Sequence, residues 1–226
     1  MTHLELRERI ARRAALEVFP GARVNLGIGL PTLIPAYLSS CDGVWIHSEN
    51  GFLGMGEACD AGGEDPDLID AGGRYVKLVP GASFFDSALS FAIVRGGRLD
   101  LCFLGAFQVD LLGNLANWRI PGRLVPGVGG AIELAQKVPR VIATTLHAER
   151  SGAPKLVEAC TLPLTARACV AMVITELAVL EPTGKSFRVL ELAPGVDLGE
   201  VEERTGAPLE VDQVRPWRVA PRGEAA

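Results

Sequence analysis

Metal-ligating side chains are scarce in this chain of 226 residues, which contains only three histidines and five cysteines. The cysteines stand at positions 41, 59, 102, 160 and 169. No two of them form a Cys-x-x-Cys pair, and the histidines lie far apart in the sequence, so we predict no metal site. An odd number of dispersed cysteines is typical of reduced, mostly structural thiols in a cytosolic protein.

Basic runs and long apolar runs are also missing. The formal net charge is −5 and the sequence pI is about 5.3, which disfavours nucleic acid as a partner. The N-terminal segment lacks the apolar core of a signal peptide. The uncharged stretch 24–41 is interrupted by two prolines and two glycines, which argues against a membrane span. We therefore expect a cytoplasmic protein that binds neither nucleic acid nor a membrane.

Aromatic residues make up only 6% of the chain, whereas 48% of its residues are hydrophobic, so the core must be mainly aliphatic. Short apolar runs alternate with helical or glycine-rich segments, and several of the runs are apolar throughout. This pattern predicts an α/β fold with a single open, mostly parallel sheet and helices on both faces. We expect one domain over residues 1–214, and a loosely held tail over residues 215–226.

The predicted elements follow from apolar periodicity and from capping residues. Helices are predicted over 4–18, from Pro31 onward, over 87–95 after Asp86, over 131–137, and from Asp197 to Thr205–Gly206. Strands are predicted over 24–26, 44–46, 75–79, 101–104, 140–145, 170–174, 177–180 and 187–192. Pro80–Gly81 is expected to close the strand over 75–79.

The most informative segment is residues 47–51, His-Ser-Glu-Asn-Gly, which follows the predicted strand 44–46. Gly51, together with the glycines at 54 and 56, allows a tight turn and close approach of the backbone to a ligand. A glutamate at a strand end in such a turn fits a nucleophile, and ligands of parallel α/β sheets bind at this edge. The alternative is a solvated loop glutamate. Glu49 is therefore the candidate catalytic residue.

Neighbouring residues are candidates for supporting roles. Asn50 could donate a hydrogen bond to a carbonyl or to the Glu49 carboxylate, although Asn-Gly is also a common turn pair. His47 could tune the local charge, but a residue that flanks a strand position points away from its neighbour's face. Ser48 lacks the Gly-x-Ser-x-Gly surroundings of a hydrolase nucleophile.

Two glycine pairs complete the set of candidates. Gly129 and Gly130 precede the predicted helix 131–137, where free N–H groups could stabilise an oxyanion, or where glycine serves only a tight turn. Gly27 and Gly29 follow a strand, but the third glycine and the distal acid of a dinucleotide loop are absent. We interpret this second pair as packing beside the site, or as a contact with a substrate.

The Ser-Glu-Asn-Gly segment resembles the active-site signature of the beta subunit of 3-oxoacid coenzyme A transferases. The resemblance continues, in the family's order, through further segments that together cover roughly residues 5–211. These segments are 24–32, 64–69, 78–83, 104–109, 115–118, 120–122, 127–131, 160–165 and 205–208. So many ordered matches make a chance resemblance very improbable.

The resemblance implies the open α/β fold of coenzyme A transferases and some sugar-phosphate isomerases. It also implies a mechanism in which Glu49 attacks an acyl-CoA such as succinyl-CoA and then carries CoA as a glutamyl thioester. CoA then passes to a short 3-oxo acid such as acetoacetate or 3-oxoadipate, with no tightly bound cofactor and no metal. Gly130 matches the family's oxyanion-hole glycine. A separate alpha subunit is implied, because this chain lacks the alpha motif, and a heterotetramer is the expected assembly.

Two residues depart from the family pattern. Glu57 stands where proline is usual and adds negative charge near the site. Arg119 stands where an apolar residue is usual; it could bind the far carboxylate of a dicarboxylic acid, or it could be a surface residue after a buried tryptophan. An acyl-CoA hydrolase that uses the same glutamate, and a non-catalytic ligand-binding domain of the same fold, remain alternative functions.

Overall fold

The computed structural model describes residues 1–39, 42–59, 61–122, 127 and 129–221. Its α-helices are α1 (His3–Ala15), α2 (Ser87–Arg95), α3 (Ala131–Lys137) and α4 (Leu198–Arg204), and a 3-10 helix spans Pro31–Tyr37. The first seven strands are β1 (Arg23–Leu26), β2 (Trp45–Ser48), β3 (Phe52–Ala58), β4 (Val76–Phe84), β5 (Leu101–Gly105), β6 (Gln108–Asp110) and β7 (Leu115–Ala116). The remaining strands are β8 (Val141–Thr144), β9 (Leu156–Val157), β10 (Val170–Ile174), β11 (Ala178–Pro182), β12 (Phe187–Leu192), β13 (Leu209–Glu210) and β14 (Arg215–Pro216).

One large sheet organises the molecule. Its strand order is β13-β12-β11-β10-β8-β5-β1-β2-β3-β4, and β14 also pairs with β12. The five central strands, β10-β8-β5-β1-β2, are all parallel, whereas antiparallel pairs flank them on both sides. The predicted α/β fold with a mostly parallel open sheet is therefore confirmed.

Two apolar clusters, one on each face of the sheet, form the core. Along β5, Leu101 and Phe103 belong to one cluster and Cys102 and Leu104 to the other, because successive side chains of a strand point to opposite faces. Helix α1 and the 3-10 helix cover the first face, and α2, α3 and α4 cover the second. Both faces are buried, which explains why the central strands are mainly apolar; β1 and β2 also carry the buried polar residues Asn25 and His47.

Capping residues set several of the helix starts. Thr2 and Glu5 form a reciprocal capping box on α1, and the Asp86 and Asp197 carboxylates accept hydrogen bonds from backbone N–H groups at the starts of α2 and α4. Helix α3 has the predicted bounds. Helix α1 ends at Ala15 rather than at residue 18, because a turn replaces its predicted last residues.

The segment after Glu49 differs from prediction. The glycines at 54 and 56 lie within β3 and not in a turn, and Pro80–Gly81 lies inside β4 and does not close it. Strand β4 is the edge of the sheet, where a proline without an N–H group costs no ladder hydrogen bond. A second, three-stranded sheet, β7-β6-β9, was not predicted.

The predicted tail begins with β14, which pairs with β12. Trp217 packs on the core cluster that α1 covers. The Ala220 N–H group donates to the Arg12 carbonyl of α1, and the Arg12 side chain donates to the Ala220 carbonyl. The described part of this segment is thus packed on the body, while residues 222–226 lie outside the described residues. The boundary at residue 214 stays a prediction.

Some observations concern only the residues that the structure describes. Among them, no helix is long and apolar enough to cross a membrane, and no group of three His, Cys, Asp or Glu side chains is arranged to hold a metal ion. The cysteines at 59, 102, 160 and 169 are free thiols, and Cys41 lies outside the described part of the chain.

Candidate active site

Glu49 lies at the carboxyl edge of the parallel strands. It follows β2 directly, beside the ends of β1 and β5 in the sheet order. Crossover segments leave a crevice at this edge of a parallel sheet, and polar groups placed there face a common space. The predicted position of the candidate nucleophile is therefore the observed one.

The Glu49 carboxylate lies against the backbone of Gly130, the N-cap residue of α3. The side chain is half-buried, and burial raises its pKa, while a hydrogen bond from the Gly130 N–H group opposes this rise. A carbon added at the Cβ position of Gly130 would stand 2.7 Å from Glu49 Cδ, and closer still to Oε2. Only a residue without a side chain lets the N–H group approach the carboxylate in this way.

Gly129 supports this approach without blocking the carboxylate. Its φ of +55° lies in the left-handed region, and a Cβ there would be 3.9 Å from Glu49 Oε1, in ordinary contact. The loop therefore needs glycine at 130 for space and prefers it at 129 for its backbone conformation. Val128 of the same segment lies outside the described residues.

Gly51 holds the other side of the loop. Its φ is +130°, and an added Cβ would collide with the Phe85 carbonyl oxygen. The Phe85 N–H group donates to the Gly51 carbonyl at 2.8 Å, which docks the Glu49 loop on the segment that precedes α2. The predicted tight turn with close backbone approach is present here, and the partner is this chain's own backbone.

Asn50 is engaged in the loop and not with the Glu49 carboxylate. Its amide donates to the Ile69 carbonyl at 2.8 Å, and its side-chain oxygen accepts from Ser48 Oγ at 2.6 Å. Ser48 also accepts a hydrogen bond from the Ala71 N–H group. These bonds favour turn chemistry for Asn50, although its exposed side chain stays a candidate for contact with substrate.

His47 lies on the same side of the sheet as Glu49, two residues away. The expectation that His47 points away from Glu49 is wrong, because the immediate neighbour of Glu49 is Ser48: His47 contacts Ser90 of α2 and Glu49 contacts Gly130 of α3, on the same side of the sheet. The ring is fully buried, stacks on Phe85 at 5.9 Å, and has its pKa lowered to about 4 by burial. It bonds Asn25 and Ser90, and Ser90 bonds the Glu49 carbonyl oxygen.

The two glycines after β1 differ in role. A Cβ at Gly27 would lie 3.0 Å from the Phe103 carbonyl oxygen and 3.1 Å from Leu104 Cδ2, so this glycine permits close packing on β5. Gly29 has φ +96° and open space around its Cα. The packing interpretation fits Gly27, and a contact of Gly29 with a substrate stays a prediction.

The two residues that depart from the family pattern lie in solvent. Glu57 is 46% exposed and pairs with Lys77 across the β3–β4 ribbon at 3.1 Å. Arg119 is exposed, and its guanidinium lies 6.0 Å from the centroid of the Trp118 ring, which is the surface arrangement considered as the alternative. A role for Arg119 in binding a carboxylate stays a prediction.

Sequence reasoning missed the contribution of α2. Ser90 reaches the Glu49 carbonyl, and Phe91 lies 3.0 Å from where a Cβ of Gly130 would stand. Nothing near these residues in the sequence marks them, since they occupy ordinary helical positions 41 residues or more from Glu49. Asn25 did carry a signal, because a polar residue between Val24 and Leu26 interrupts a buried strand.

Comparison with known proteins places this geometry in a family. The coenzyme A transferase family model matches residues 7–204. The chain is 46% identical to the beta subunit of the acetate CoA-transferase of Escherichia coli K12, covering 92% of this chain and 95% of that one. It is also 46% identical to one subunit of the 3-oxoadipate CoA-transferase of Pseudomonas putida, with 90% and 95% covered. One subunit of the succinyl-CoA:3-ketoacid coenzyme A transferase of Helicobacter pylori J99 is 47% identical, with 91% and 99% covered.

Solved structures show the same fold at lower identity. Glutaconate coenzyme A-transferase of Acidaminococcus fermentans matches with a TM-score of 0.69 and 19% identity over 96% of this chain and 90% of that one. The acyl-CoA transferase YdiF of Escherichia coli O157:H7 matches with a TM-score of 0.72 and 23% identity; 96% of this chain is covered, but it spans only 44% of YdiF. A decarboxylase, AibA/AibB, also has this fold at a TM-score of 0.64, so the fold alone does not decide the reaction. The family match and the curated relatives do: the chain belongs to the coenzyme A transferase family of transferases, and the three curated relatives described above are single subunits of such enzymes, the beta subunit among them.

Proposed function

We propose that this chain is the beta subunit of a 3-oxoacid CoA-transferase and that Glu49 is its covalent nucleophile. CoA would move from an acyl-CoA, such as succinyl-CoA, to a short 3-oxo acid, such as acetoacetate or 3-oxoadipate. The observation that carries the proposal is the contact of the half-buried Glu49 carboxylate with the N–H group of Gly130. Coenzyme A is a substrate here and a covalent intermediate, not a resident cofactor.

The first half-reaction transfers CoA to the protein. A Glu49 carboxylate oxygen attacks the thioester carbonyl carbon and the C–S bond breaks. The CoA thiolate is released, and an acyl–glutamyl anhydride is formed on Glu49. The thiolate then attacks Glu49 Cδ and expels the donor's acyl group as a free carboxylate, which leaves a glutamyl–CoA thioester. In the second half-reaction the acceptor carboxylate attacks the same Cδ, and the steps run in reverse. No net proton or electron is required.

Burial of Glu49 serves this chemistry. An ionised carboxylate is a weak nucleophile in water, because its hydration shell must be removed before it attacks. The raised pKa of Glu49, caused by burial, is the sign of partial desolvation in the folded protein. A carboxylate held this way is closer to the state in which it reacts.

The Gly130 N–H group is suited to the steps that occur on Glu49 itself. When a thiolate or a carboxylate attacks Glu49 Cδ, negative charge develops on the side-chain oxygens, and this N–H group already hydrogen-bonds to one of them. Loss of one such donor commonly costs about 3 kcal/mol of transition-state stabilisation. The steps that place charge on the substrate's own carbonyl need another donor, which the alpha subunit is proposed to supply.

Relatives support the partner and the chemistry. Three of the curated relatives are named as subunits, which supports a complex with an alpha subunit, and we propose a cytoplasmic heterotetramer. YdiF, a protein of the same fold, has been crystallised as a thioester complex with CoA. Two of these relatives are named for 3-oxoadipate and 3-ketoacids, which supports a short 3-oxo acid as the acceptor, while the third is named for acetate.

The test is covalent capture on the complete complex. The chain is co-expressed with an alpha subunit from the same source, incubated with succinyl-CoA or acetoacetyl-CoA, and measured by intact mass. We expect a CoA adduct that peptide mapping assigns to Glu49 and that is absent from Glu49→Gln, which keeps the size of the side chain. An intact complex that forms no adduct with either donor would refute the proposed mechanism.

The same experiment separates a transferase from an acyl-CoA hydrolase. A hydrolase would release CoA from the adduct by attack of water, so free thiol would accumulate without an acceptor acid. A transferase holds the adduct until an acceptor acid is added and then forms the new acyl-CoA. Thiol release with and without acetoacetate therefore distinguishes the two.

A further inference from the structure

A row of buried polar side chains connects the sheet to the backbone of Glu49. Cys102 of β5, Asn25 of β1 and His47 of β2 lie in register on neighbouring strands, and their side chains face α2. Asn25 is 1% exposed, and His47 and Ser90 are fully buried. Buried polar groups are expensive unless they are paired, so the direction of each hydrogen bond in this row is constrained.

The His47 backbone carbonyl fixes the orientation of the Asn25 amide. This carbonyl can only accept, so the Asn25 atom 3.1 Å from it is the amide nitrogen Nδ2. The same nitrogen is 3.0 Å from His47 Nδ1, which must therefore accept as well. The amide oxygen of Asn25 then faces Cys102, whose thiol donates to it at 3.8 Å. With Nδ1 an acceptor, the ring proton of neutral His47 is on Nε2.

The rest of the row follows from that tautomer. His47 Nε2–H donates to Ser90 Oγ at 3.1 Å, so the Ser90 hydroxyl has its own proton left to donate. Ser90 Oγ is 2.7 Å from the Glu49 carbonyl oxygen, which can only accept. The donor and the acceptor of every hydrogen bond between these side chains are thus determined. Reversing any one bond would leave two donors or two acceptors facing each other.

We propose that Asn25, His47 and Ser90 position the nucleophile by holding His47 in the Nε2–H tautomer, so that Ser90 ties the Glu49 carbonyl to α2. The tie fixes the peptide that begins the Glu49 loop, while the Gly130 N–H group holds the other end of the residue. None of the three side chains touches the reacting carboxylate, and they are therefore positioning residues. This inference rests on the proposed function of Glu49.

A charged His47 would break the row. Protonation places a second N–H group at Nδ1, directly against the Asn25 amide, whose nitrogen also donates. Burial lowers the His47 pKa to about 4, in agreement with a ring that stays neutral at physiological pH. Phe85 stacks on one face of the ring, with 5.9 Å between the centroids and 14° between the planes.

Three variants separate the parts of the row. Ser90→Ala removes the tie to Glu49 with little change in volume. His47→Gln keeps a donor that can reach Ser90 from the place of Nε2, whereas His47→Asn can place an acceptor at the position of Nδ1 but is too short to place a donor at the position of Nε2. If positioning is the role of the row, His47→Gln rescues activity and His47→Asn does not.

A second buried histidine supplies the control. His147 also has its pKa lowered to about 4 by burial, and its ring bonds hydroxyls on both sides, Thr175 at 3.0 Å and Thr205 at 2.8 Å. The Thr205 hydroxyl in turn donates a hydrogen bond to the Val201 backbone carbonyl at 2.6 Å. Thr205→Val therefore removes the same kind of bond as Ser90→Ala, but from α4 and not from the Glu49 loop.

The readout is the initial rate of adduct formation on Glu49 in the complex with the alpha subunit, together with the melting temperature. Because displacement of a reacting group by about 1 Å can cost about 100-fold in rate, we expect Ser90→Ala and His47→Asn to slow adduct formation by about 10- to 100-fold. His47→Gln and Thr205→Val should stay within a few-fold of wild type. Ser90→Ala and Thr205→Val should lower the melting temperature by similar amounts, so stability alone cannot explain a difference in rate.

The outcomes distinguish this inference from the proposed function. A wild-type rate for Ser90→Ala, or an equal loss in Thr205→Val, overturns the positioning role while Glu49 remains the nucleophile. A wild-type complex without any adduct overturns the proposed function, and the positioning role with it. The tautomer is decided separately by nitrogen NMR of this chain, labelled in its histidines and bound to unlabelled alpha subunit. With only three histidines, His47→Gln assigns the signal, and a proton on Nδ1 at neutral pH would refute the row.

Discussion

Gly130→Ala and Gly129→Ala form a pair whose effects on activity and on stability should be opposite. At Gly130 the backbone has φ −75° and ψ −4°, which alanine adopts without strain. The added carbon, however, would stand 2.7 Å from Glu49 Cδ, closer than real Cβ contacts come. Glu49 must therefore move away by roughly 1 Å, a displacement that can cost about 100-fold in rate.

The stability of the Gly130→Ala variant should change little. Alanine is a poorer N-cap than glycine, and we expect a loss of about 0.5 to 1 kcal/mol in the free energy of unfolding. Gly129→Ala has the reverse profile. Its φ of +55° costs a residue with a side chain about 1 to 2 kcal/mol, but the new carbon would be 3.9 Å from Glu49 Oε1 and would leave the carboxylate in place.

The assay measures both quantities on the complex with the alpha subunit. Adduct formation from acetoacetyl-CoA gives the rate, and denaturant unfolding of the same complex gives the stability. We expect Gly130→Ala to be the slower and the more stable of the two variants. If Gly130→Ala formed the adduct at the wild-type rate, the contact between Glu49 and Gly130 would not matter to the chemistry, and the reasoning would fail.

Two further predictions concern stability. Glu17 accepts hydrogen bonds from Arg13 at 2.7 Å and from Arg140 at 2.5 Å, and although burial raises its pKa, these bonds and the two positive charges lower it more. A lowered folded-state pKa gives stability that is complete above the unfolded value of 4.5 and is lost as pH falls through the folded value. Glu17→Gln should therefore cost about 1 to 3 kcal/mol at about pH 7 but much less at about pH 3.5, as measured by urea unfolding; an equal cost at both would contradict it. Gly51→Ala should lower the free energy of unfolding by about 3 kcal/mol or more, since φ +130° is closed to alanine and the new carbon meets a carbonyl oxygen. Gly29→Ala, with φ +96° but open space, should cost clearly less, and an equal loss in thermal melts would count against the clash.

The central sheet and its helices were predictable because their signals are local. Strand β12 and helix α3 have the predicted bounds, since β-branched and apolar residues mark β12 and a glycine marks the start of α3. The length of the edge strand β4 was not predictable from the sequence. Pro80–Gly81 looks like a strand terminator, and only the position of β4 at the rim of the sheet lets the strand continue through it.

The candidate site likewise has a part that the sequence predicted and a part that it did not. Glu49 was identified from its own segment, because a carboxylate between a buried strand and a glycine turn is a recognisable local pattern, and the resemblance to a family repeats it. Its contact with Gly130 joins residues that are far apart in the chain, and the sequence could suggest the contact only through that resemblance. Asn50 shows the limit of such reasoning, because its amide is held by the Ile69 carbonyl, and no local pattern predicts that partner.

The sequence by itself determined the class of fold, the candidate nucleophile and the family, since these depend on periodicity, on capping and on motifs read along the chain. Only the tertiary structure decided what surrounds Glu49: the backbone of Gly130 against its carboxylate and the row from Asn25 to Ser90 behind its carbonyl. The physical reason is distance along the chain. Hydrogen bonds within a helix or turn repeat at fixed spacings, whereas the partners of a buried polar group are whichever residues the packed sheet and helices bring within about 3 Å.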